Sequence, residues 1–191
     1  YINYYGTPKI EIISPSDNHN TSIQIIYISG TTYNSRAGDT IELFVNGLKN
    51  STITLNSDSA NFSGTVQLNN IGDSISVKLN GFSGLDFDTI TINYFPPPTI
   101  KILSPENNYN TTTQIIYISG TTYNSYVGDT IQLFVNRIQN NLIILTVNNG
   151  TFSGTISISS TNSKIVARLN SIAGIAEDTI TINYYGTPVI K

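Results

Sequence analysis

The 191-residue sequence is poor in the side chains on which most enzymes and metal sites depend. It contains no cysteine and a single histidine, His19. Without cysteine there is no disulfide framework, thiolate nucleophile or cysteine-based zinc site. His19 stands in a polar stretch that is typical of a turn, and a catalytic triad or zinc site needs further partners around its histidine. We therefore predict a protein that is not an enzyme and that carries no cofactor and no metal.

Charge is scarce as well. Charged residues make up 11% of the chain and the net charge is −3, whereas about a quarter of an average protein is charged. Because there is no basic stripe, nucleic acid and anionic membranes are poor partners. The longest apolar runs, near residues 23–28 and 142–147, fall far short of the roughly 20 residues that span a bilayer, so we expect no membrane contact from this segment. Asparagine, serine and threonine supply the polarity, which favours an extracellular or cell-surface location.

The chain repeats itself at an offset of 90 residues, without insertion or deletion. Residues 24–35, QIIYISGTTYNS, return letter for letter at residues 114–125. The same offset relates S-P at 14–15, F-S-G-T at 62–65 and D-T-I-T-I-N-Y at 88–94 to their second copies. Solenoid units run about 20–50 residues, so a repeat of this length is a whole domain. The sequence predicts two tandem domains, at residues 9–98 and 99–188.

The two ends of the chain also match each other. Residues 2–8, INYYGTP, recur at residues 182–188. Residues 1–8 are therefore expected to be the last strand of an upstream repeat, and residues 189–191 the start of a further one. An unpaired strand recruits a partner. The expected partners are adjacent copies of the repeat and neighbouring chains of a fibre by strand addition.

Hydrophobic residues alternate with polar ones through nearly the whole of each copy, which predicts strands. In the first copy the pattern gives seven, at residues 10–12, 23–29, 40–46, 51–55, 62–68, 75–79 and 90–94. Gly30 is expected to end the second strand, so that residues 31–38 form a loop. Asn46-Gly47 predicts a tight turn, and its counterpart Asn136-Arg137 leaves the turn type of the second copy open. Seven short strands in about 90 residues predict an all-β fold, a Greek-key β-sandwich of immunoglobulin type in each copy.

The connection between the copies is short and rich in proline. Only residues 95–99, FPPPT, separate the last strand of the first copy from the first strand of the second. Consecutive prolines hold a chain extended at about 3.1 Å per residue. We expect the domains to follow one another with restricted swing, as in a rod.

Five motifs of this pattern resemble bacterial and archaeal immunoglobulin-like surface domains, especially the accessory domain of glucodextranase and the repeats of adhesin arrays. They are I-x-I-x-S-P at 10–15, I-x-I-S-G at 26–30, L-F-V-N at 43–46, F-S-G-T at 62–65 and D-T-I-T-I-N-Y at 88–94. The resemblance covers both copies and implies the sandwich fold. It transfers no catalytic residue, since such domains serve as spacers, adhesive modules or accessory domains of enzymes.

Two aspartates recur in both copies just before a threonine that is expected to open a strand. Asp39 and Asp88 return as Asp129 and Asp178. We interpret them as acceptors of local backbone hydrogen bonds. The alternative, calcium, needs six to eight oxygens, and Asp86, which stands near Asp88, is replaced by Ala176 in the second copy.

Four aromatic residues are candidate contact residues. Tyr33 and Tyr123 are expected in a loop, and Phe44 and Phe134 on the strand face opposite the core, where they are candidates for lateral contact or sugar stacking. The alternative for Phe44 is that it covers the sheet edge or packs on Tyr27.

N-x-Ser/Thr sequons occur five times in the chain. Those at Asn20 and Asn110 occupy equivalent positions, which makes these two residues the candidate glycosylation sites.

The favoured function is a non-catalytic structural module of a long extracellular stalk, adhesin or filament built from tandem repeats. The alternatives are a module that binds carbohydrate or a host surface through Tyr33 and Tyr123, and accessory domains of a secreted polysaccharide-degrading enzyme. Within the repeated stretch, core packing accounts for residues 24–30, which leaves residues 31–35 as the place where a function could be displayed.

Overall fold

The computed structural model describes residues 6–186 of the chain. The expected pairing of residues 1–8 with a neighbouring strand falls largely outside these residues, and the expected start of a further repeat at 189–191 wholly so. The described residues form sixteen β-strands. The chain divides into two compact units between Phe95 and Pro96, called unit 1 and unit 2 below.

Each unit contains eight strands in the same order. In unit 1 they are β1 (Lys9–Ser14), β2 (His19–Thr21), β3 (Ile25–Tyr33), β4 (Thr40–Val45), β5 (Leu48–Thr54), β6 (Asn61–Gln67), β7 (Asp73–Gly81) and β8 (Gly84–Tyr94). In unit 2 they are β9 (Thr99–Ser104), β10 (Tyr109–Thr111), β11 (Ile115–Tyr123), β12 (Thr130–Val135), β13 (Ile138–Ile144), β14 (Thr151–Ser157), β15 (Ser163–Ser171) and β16 (Gly174–Tyr184).

The strands of each unit form one small and one large sheet. In unit 1 the three-stranded sheet has the order β1-β3-β6 and the five-stranded sheet the order β2-β8-β7-β4-β5, and unit 2 repeats both. All pairs are antiparallel except β2 with β8 and β10 with β16. The seven strands predicted for each copy are all present, and the all-β sandwich is confirmed. The short strand β2 is additional, since His19 opens a strand and does not lie in a turn.

The core lies between the two sheets of each unit and follows the predicted alternation. In unit 1 the completely buried side chains include Ile28 of the small sheet and Leu43, Ile75 and Leu79 of the large sheet. Unit 2 buries Ile118, Leu133, Ile165 and Leu169 at the equivalent positions. Fully burying one such aliphatic side chain stabilises the fold by about 1.5–3 kcal/mol.

The sequence predicted that Gly30 ends its strand. This prediction is wrong, because β3 continues to Tyr33. The glycine is needed inside the strand because two groups approach its Cα closely. A Cβ at Gly30 would lie 2.0 Å from the carbonyl oxygen of Glu11 and 2.6 Å from the ring of Phe62. Glycine within a strand commonly marks such an approach. Gly120 has the same surroundings in unit 2, with Lys101 and Phe152 as its neighbours.

The turn between the fourth and fifth strands is the same in both units. Asn46 and Gly47 have φ angles of 51° and 77°, and Asn136 and Arg137 have φ angles of 49° and 73°. Two positive φ angles are the mark of a type I′ hairpin turn. The substitution of glycine by arginine therefore leaves the turn type unchanged and places a side chain in the left-handed region, at a cost of about 1–2 kcal/mol.

Aspartates of β8 cap the free edge of β1. Asp86 Oδ2 accepts a hydrogen bond from Ile10 N–H, and Asp88 Oδ2 accepts one from Ile12 N–H, both at 2.7 Å. The expected local bond is present as well, from Thr89 N–H to Asp88 Oδ1. Asp88 thus lies in the middle of a strand and joins the two sheets, which the sequence did not predict. Since unpaired edge groups invite pairing with another chain, the carboxylates protect this edge.

Unit 2 keeps only one of these two caps. Ile102 N–H donates to Asp178 Oδ2 at 2.7 Å, whereas Ala176 stands at the position of Asp86 and offers no acceptor to Ile100.

This difference leads to a paired prediction. A hydrogen bond to a charged group contributes about 1.5–3 kcal/mol. We expect Asp86→Ala to lower the free energy of unfolding of unit 1 by about 1.5 kcal/mol, and Ala176→Asp to raise that of unit 2. Urea unfolding, with hydrogen exchange to identify the affected unit, measures both. If the unsubstituted chain, Asp86→Ala and Ala176→Asp had equal stabilities, water would be as good a hydrogen-bond acceptor for the Ile10 N–H as Asp86.

Candidate contact surfaces

Six outward residues on two strands of the three-stranded sheet are the same in both units, whereas the outward residues of β1 and β9 differ. We call this surface the tyrosine face. It consists in unit 1 of Tyr27, Ser29, Thr31 and Tyr33 on β3 with Ser63 and Thr65 on β6, and in unit 2 of Tyr117, Ser119, Thr121, Tyr123, Ser153 and Thr155. Tyr27 and Tyr117 are 76% and 60% exposed. Tyr33 and Tyr123 are 46% and 64% exposed and end their strands, which corrects the prediction that they lie in a loop.

Core packing explains the inward half of the repeated stretch. Ile28 and Gly30 are buried and Ile26 packs against the core. Thr32 and Ser35 are buried too, contrary to the expectation that residues 31–35 form a display loop. Their hydroxyl oxygens lie 2.7 Å apart, and the Thr32 hydroxyl donates to the carbonyl of Ala60 at 2.9 Å. This pair satisfies its own polar groups inside the core.

Asn34 has a separate role in holding the segment that precedes the unit. Its φ of 54° places it in the left-handed region, and its amide nitrogen donates to the carbonyl of Thr7 at 2.9 Å. Asn124 does the same in unit 2, donating to the carbonyl of Pro97 at 2.8 Å. Pro98, the next residue, is buried.

The other end of the linker is held by unit 1. The backbone N–H of Phe95 donates to the carbonyl of Thr21 at 2.8 Å. Only Pro96 lies between this residue and Pro97, which is held by Asn124 of unit 2.

Phe44 and Phe134 are half-buried on the outward face of the five-stranded sheet. Tyr27 lies on the other sheet, so the interpretation that Phe44 packs on Tyr27 is wrong. Strand β4 is flanked by β5 and β7, so Phe44 does not cover a sheet edge either. In unit 2 the guanidinium carbon of Arg168 lies 5.0 Å from the centre of the Phe134 ring, a cation–π contact.

Each unit has a shallow groove beside the loop that follows its first strand. Its volume is about 500 Å³ in unit 1, where it is lined by residues that include Pro15, His19, Ile25 and Tyr27. In unit 2 it measures about 470 Å³, and Tyr109 and Glu106 replace His19 and Ser16. The two grooves share a position in the fold but differ in chemistry.

Asn20 and Asn110 are exposed members of β2 and β10. Asn20 Oδ1 accepts a hydrogen bond from Asn93 Nδ2 at 3.0 Å, and Asn110 accepts the equivalent bond from Asn183. Glycosylation at these two residues stays a prediction.

Among residues 6–186 there is no cluster of three or more histidine, cysteine, aspartate or glutamate side chains that could hold a metal ion. The same residues contain no helix long and apolar enough to cross a membrane.

The most deeply buried carboxylate serves the fold. Asp73 is 1% exposed. Burial raises the pKa of its carboxyl, but hydrogen bonds from the side chain of Asn46 and the backbone N–H groups of Asn69 and Asn70 outweigh burial, so that the net pKa lies below its usual value. Glu42 has a pKa lowered to about 2, chiefly by its hydrogen bond from Lys49. Unit 2 has Ser163 and Gln132 at these positions, neither of which titrates.

This difference predicts that acid destabilises unit 1 more than unit 2. A carboxyl whose pKa is depressed by folding contributes stability above its unfolded pKa of about 4, and the contribution is lost as the pH falls through the folded value. We expect Asp73→Asn to cost about 1–2 kcal/mol at pH 7 and to reduce the loss of stability between pH 7 and pH 3. Urea unfolding at both pH values measures this, with Ser163→Ala as the control. An unchanged pH dependence in Asp73→Asn would contradict it.

No protein-family model and no curated protein sequence matches the chain. Its fold is similar to solved structures of tandem immunoglobulin domains. The three-domain titin fragment I67–I69, in an E-to-A mutated variant, aligns with a TM-score of 0.63 and 10% identity over 96% of this chain and 68% of its own. The ICAM-5 D1–D4 ectodomain fragment aligns with a TM-score of 0.53 and 12% identity, over 95% of this chain and 55% of its own. Three N-terminal domains of the bacteriophage RB49 outer capsid protein Hoc align with a TM-score of 0.50 and 10% identity, over 95% of this chain and 71% of their own. At such low identity the similarity establishes the fold: the chain is a tandem of immunoglobulin-like domains.

Proposed function

We propose that this immunoglobulin-like tandem is a non-catalytic structural module of an extracellular stalk, adhesin or filament, whose task is to provide reach and mechanical continuity. The observation that carries this function is the linker. One residue, Pro96, separates the backbone group that unit 1 holds, at Phe95, from the one that unit 2 holds, at Pro97. A linker with so little free chain, and with φ of its proline fixed, restricts the swing of one unit against the next.

The composition supports the cell-surface part of the proposal. The exposed faces owe their polarity to asparagine, serine and threonine, and charged residues make up 11% of the chain. A repeat without insertion or deletion keeps the length of the unit constant from copy to copy.

The stiffness of the joint can be measured on the chain as it is. Because the sequence contains no cysteine, Ser57→Cys and Thr146→Cys, both at exposed positions, place one spin label in each unit. We expect a narrow distribution of label distances by pulsed electron paramagnetic resonance. Inserting Gly-Ser-Gly-Ser after Pro96 adds free chain with an end-to-end distance of about 10 Å and is expected to broaden it.

Asn124→Ala provides a milder variant, because it releases the carbonyl of Pro97 and leaves the linker length unchanged. We expect its distribution of label distances to be broader than that of the unmodified chain and narrower than that of the insertion variant. If the unmodified chain gives a distribution as broad as the insertion variant, the joint is flexible and the chain is no stiff stalk. Electron micrographs of the longer repeat protein expected from the sequence would count equally against the proposal if they showed a compact particle.

A further inference from the structure

The tyrosine face is the part of the repeated stretch that the fold does not explain. Inward residues of β3 are required by the core, and Asn34 holds Thr7 in the segment that precedes the strands of unit 1. The outward residues Tyr27, Ser29, Thr31 and Tyr33 contact neither, yet all four are identical in unit 2. Ser63 and Thr65, which pair with Ser29 and Tyr27 across β6, are retained too.

The outward face of the five-stranded sheet is retained only in part. Some of its positions change in chemistry between the units, as in Glu42 to Gln132, Ser76 to Val166 and Phe87 to Glu177, whereas others, among them Phe44, Thr89, Thr91 and Asn93, are identical. These residues still form paired strands. Strand formation therefore does not demand identity at every outward position. What sets the tyrosine face apart is the pair of exposed phenol rings in each unit, with serine and threonine hydroxyls between them.

We propose that the tyrosine face of each unit binds an extended, uncharged polysaccharide. The six residues of the face carry hydroxyl groups and two phenol rings but no charge. The charges beside it come from the first strand of each unit and differ in position: in unit 1 Lys9 Nζ lies 5.7 Å from the centre of the Tyr33 ring, and Lys9 and Glu11 become Thr99 and Lys101 in unit 2. A neutral, hydroxyl-rich ligand matches such a surface.

The spacing of the rings favours a long ligand. Tyr27 and Tyr33 are six residues apart on one strand, which places their Cα atoms about 20 Å apart. Serine and threonine hydroxyls lie between them. The exposed rings can stack on the apolar faces of sugar rings, while the hydroxyls donate to and accept from sugar hydroxyls. A chain of several sugars reaches both tyrosines, whereas a single sugar reaches one.

The size of the face argues against a stable protein partner. The face is two to three strands wide, with strands about 5 Å apart, and seven residues long, at about 3.4 Å per residue. Its area is therefore roughly 300 Å². A stable protein interface takes about 800 Å² from each partner. A single polysaccharide chain is narrower than a protein partner and fits within this area.

The test uses the whole chain with cellohexaose, chitohexaose and maltohexaose as soluble probes, and with the corresponding insoluble polysaccharides in sedimentation assays. We expect one class to bind. Tyr27→Thr with Tyr117→Thr, and Tyr33→Thr with Tyr123→Thr, keep strand propensity and are each expected to weaken binding at least tenfold. The matched control is Phe87→Thr, an exposed aromatic on the other sheet, which should leave binding unchanged.

Several results would overturn this assignment. They are no binding to any of the three classes, binding that survives the loss of all four tyrosines, or loss of binding through Phe44→Thr with Phe134→Thr instead. Tyrosine-dependent self-association in analytical ultracentrifugation without polysaccharide binding would show that the face receives a second copy of the chain. The binding and self-association measurements do not depend on the spin-label distances that test the stalk, so the two proposals can fail separately.

Discussion

Gly30→Ala is expected to lower the free energy of unfolding of unit 1 by about 3 kcal/mol, at the upper end of the cost of overpacking a core. The added methyl would lie 2.0 Å from the carbonyl oxygen of Glu11 and 2.6 Å from the ring of Phe62. The ring could turn away only into other core side chains, and the carbonyl belongs to the backbone of β1. Strand β1 would have to move away from β3 and stretch its hydrogen bonds to Asp86 and Asp88.

The measurement combines urea unfolding with hydrogen exchange followed by mass spectrometry. We expect faster exchange in peptides from residues 9–95 and unchanged exchange in residues 96–186. Gly120→Ala should give the mirror result in unit 2, where the added methyl would lie 2.1 Å from the carbonyl of Lys101. Ser29→Ala, one residue away on the outward face, is the control and is expected to change stability by less than about 0.5 kcal/mol. If the free energy of unfolding of Gly30→Ala were within about 1 kcal/mol of that of the unsubstituted chain, β1 would be able to move away from β3 at little cost.

The sequence predicted the parts of the fold that obey simple alternation. Ile41 and Leu43, or Ile75 and Val77, alternate with polar residues and are buried as expected. The sequence missed β2, because His19, Asn20 and Thr21 have no apolar alternation and the strand is defined only by its pairing with β8. It also missed the bond from Ile12 to Asp88, since these residues are 76 positions apart and no local pattern connects them.

The candidate site was predicted least well, for two physical reasons. The run Ile25 to Ile28 is apolar on both faces, so it looked buried throughout, although Tyr27 points outward and is 76% exposed. Thr32 and Ser35 looked like display residues because hydroxyls are usually exposed, whereas here they satisfy each other inside the core. Tyr33 was correctly singled out as a surface residue, but its partners on the sheet face could be identified only from the strand register.

Leu43→Ala is expected to cost unit 1 about 3–4 kcal/mol, within the range for removing a buried leucine side chain. Leu43 is completely buried on β4, between Ser51 of β5 and Val77 of β7. Across the core it faces Gly64 of the small sheet, where an added Cβ would lie 2.8 Å from Leu43 Cδ2. The absence of a side chain on β6 thus makes room for the leucine, and truncation leaves a cavity that neither sheet can close.

This pairing makes the cost partly reversible by a second substitution. Gly64→Ala alone is expected to destabilise unit 1 by about 1 kcal/mol, because its methyl meets Leu43. In the Leu43→Ala background the same methyl enters the cavity, so we expect Gly64→Ala to restore about 1 kcal/mol. A double-mutant cycle of urea unfolding gives the coupling free energy, expected at about 2 kcal/mol in favour of the double variant. Additive effects of the two substitutions would mean that Leu43 and Gly64 do not share the space between the sheets.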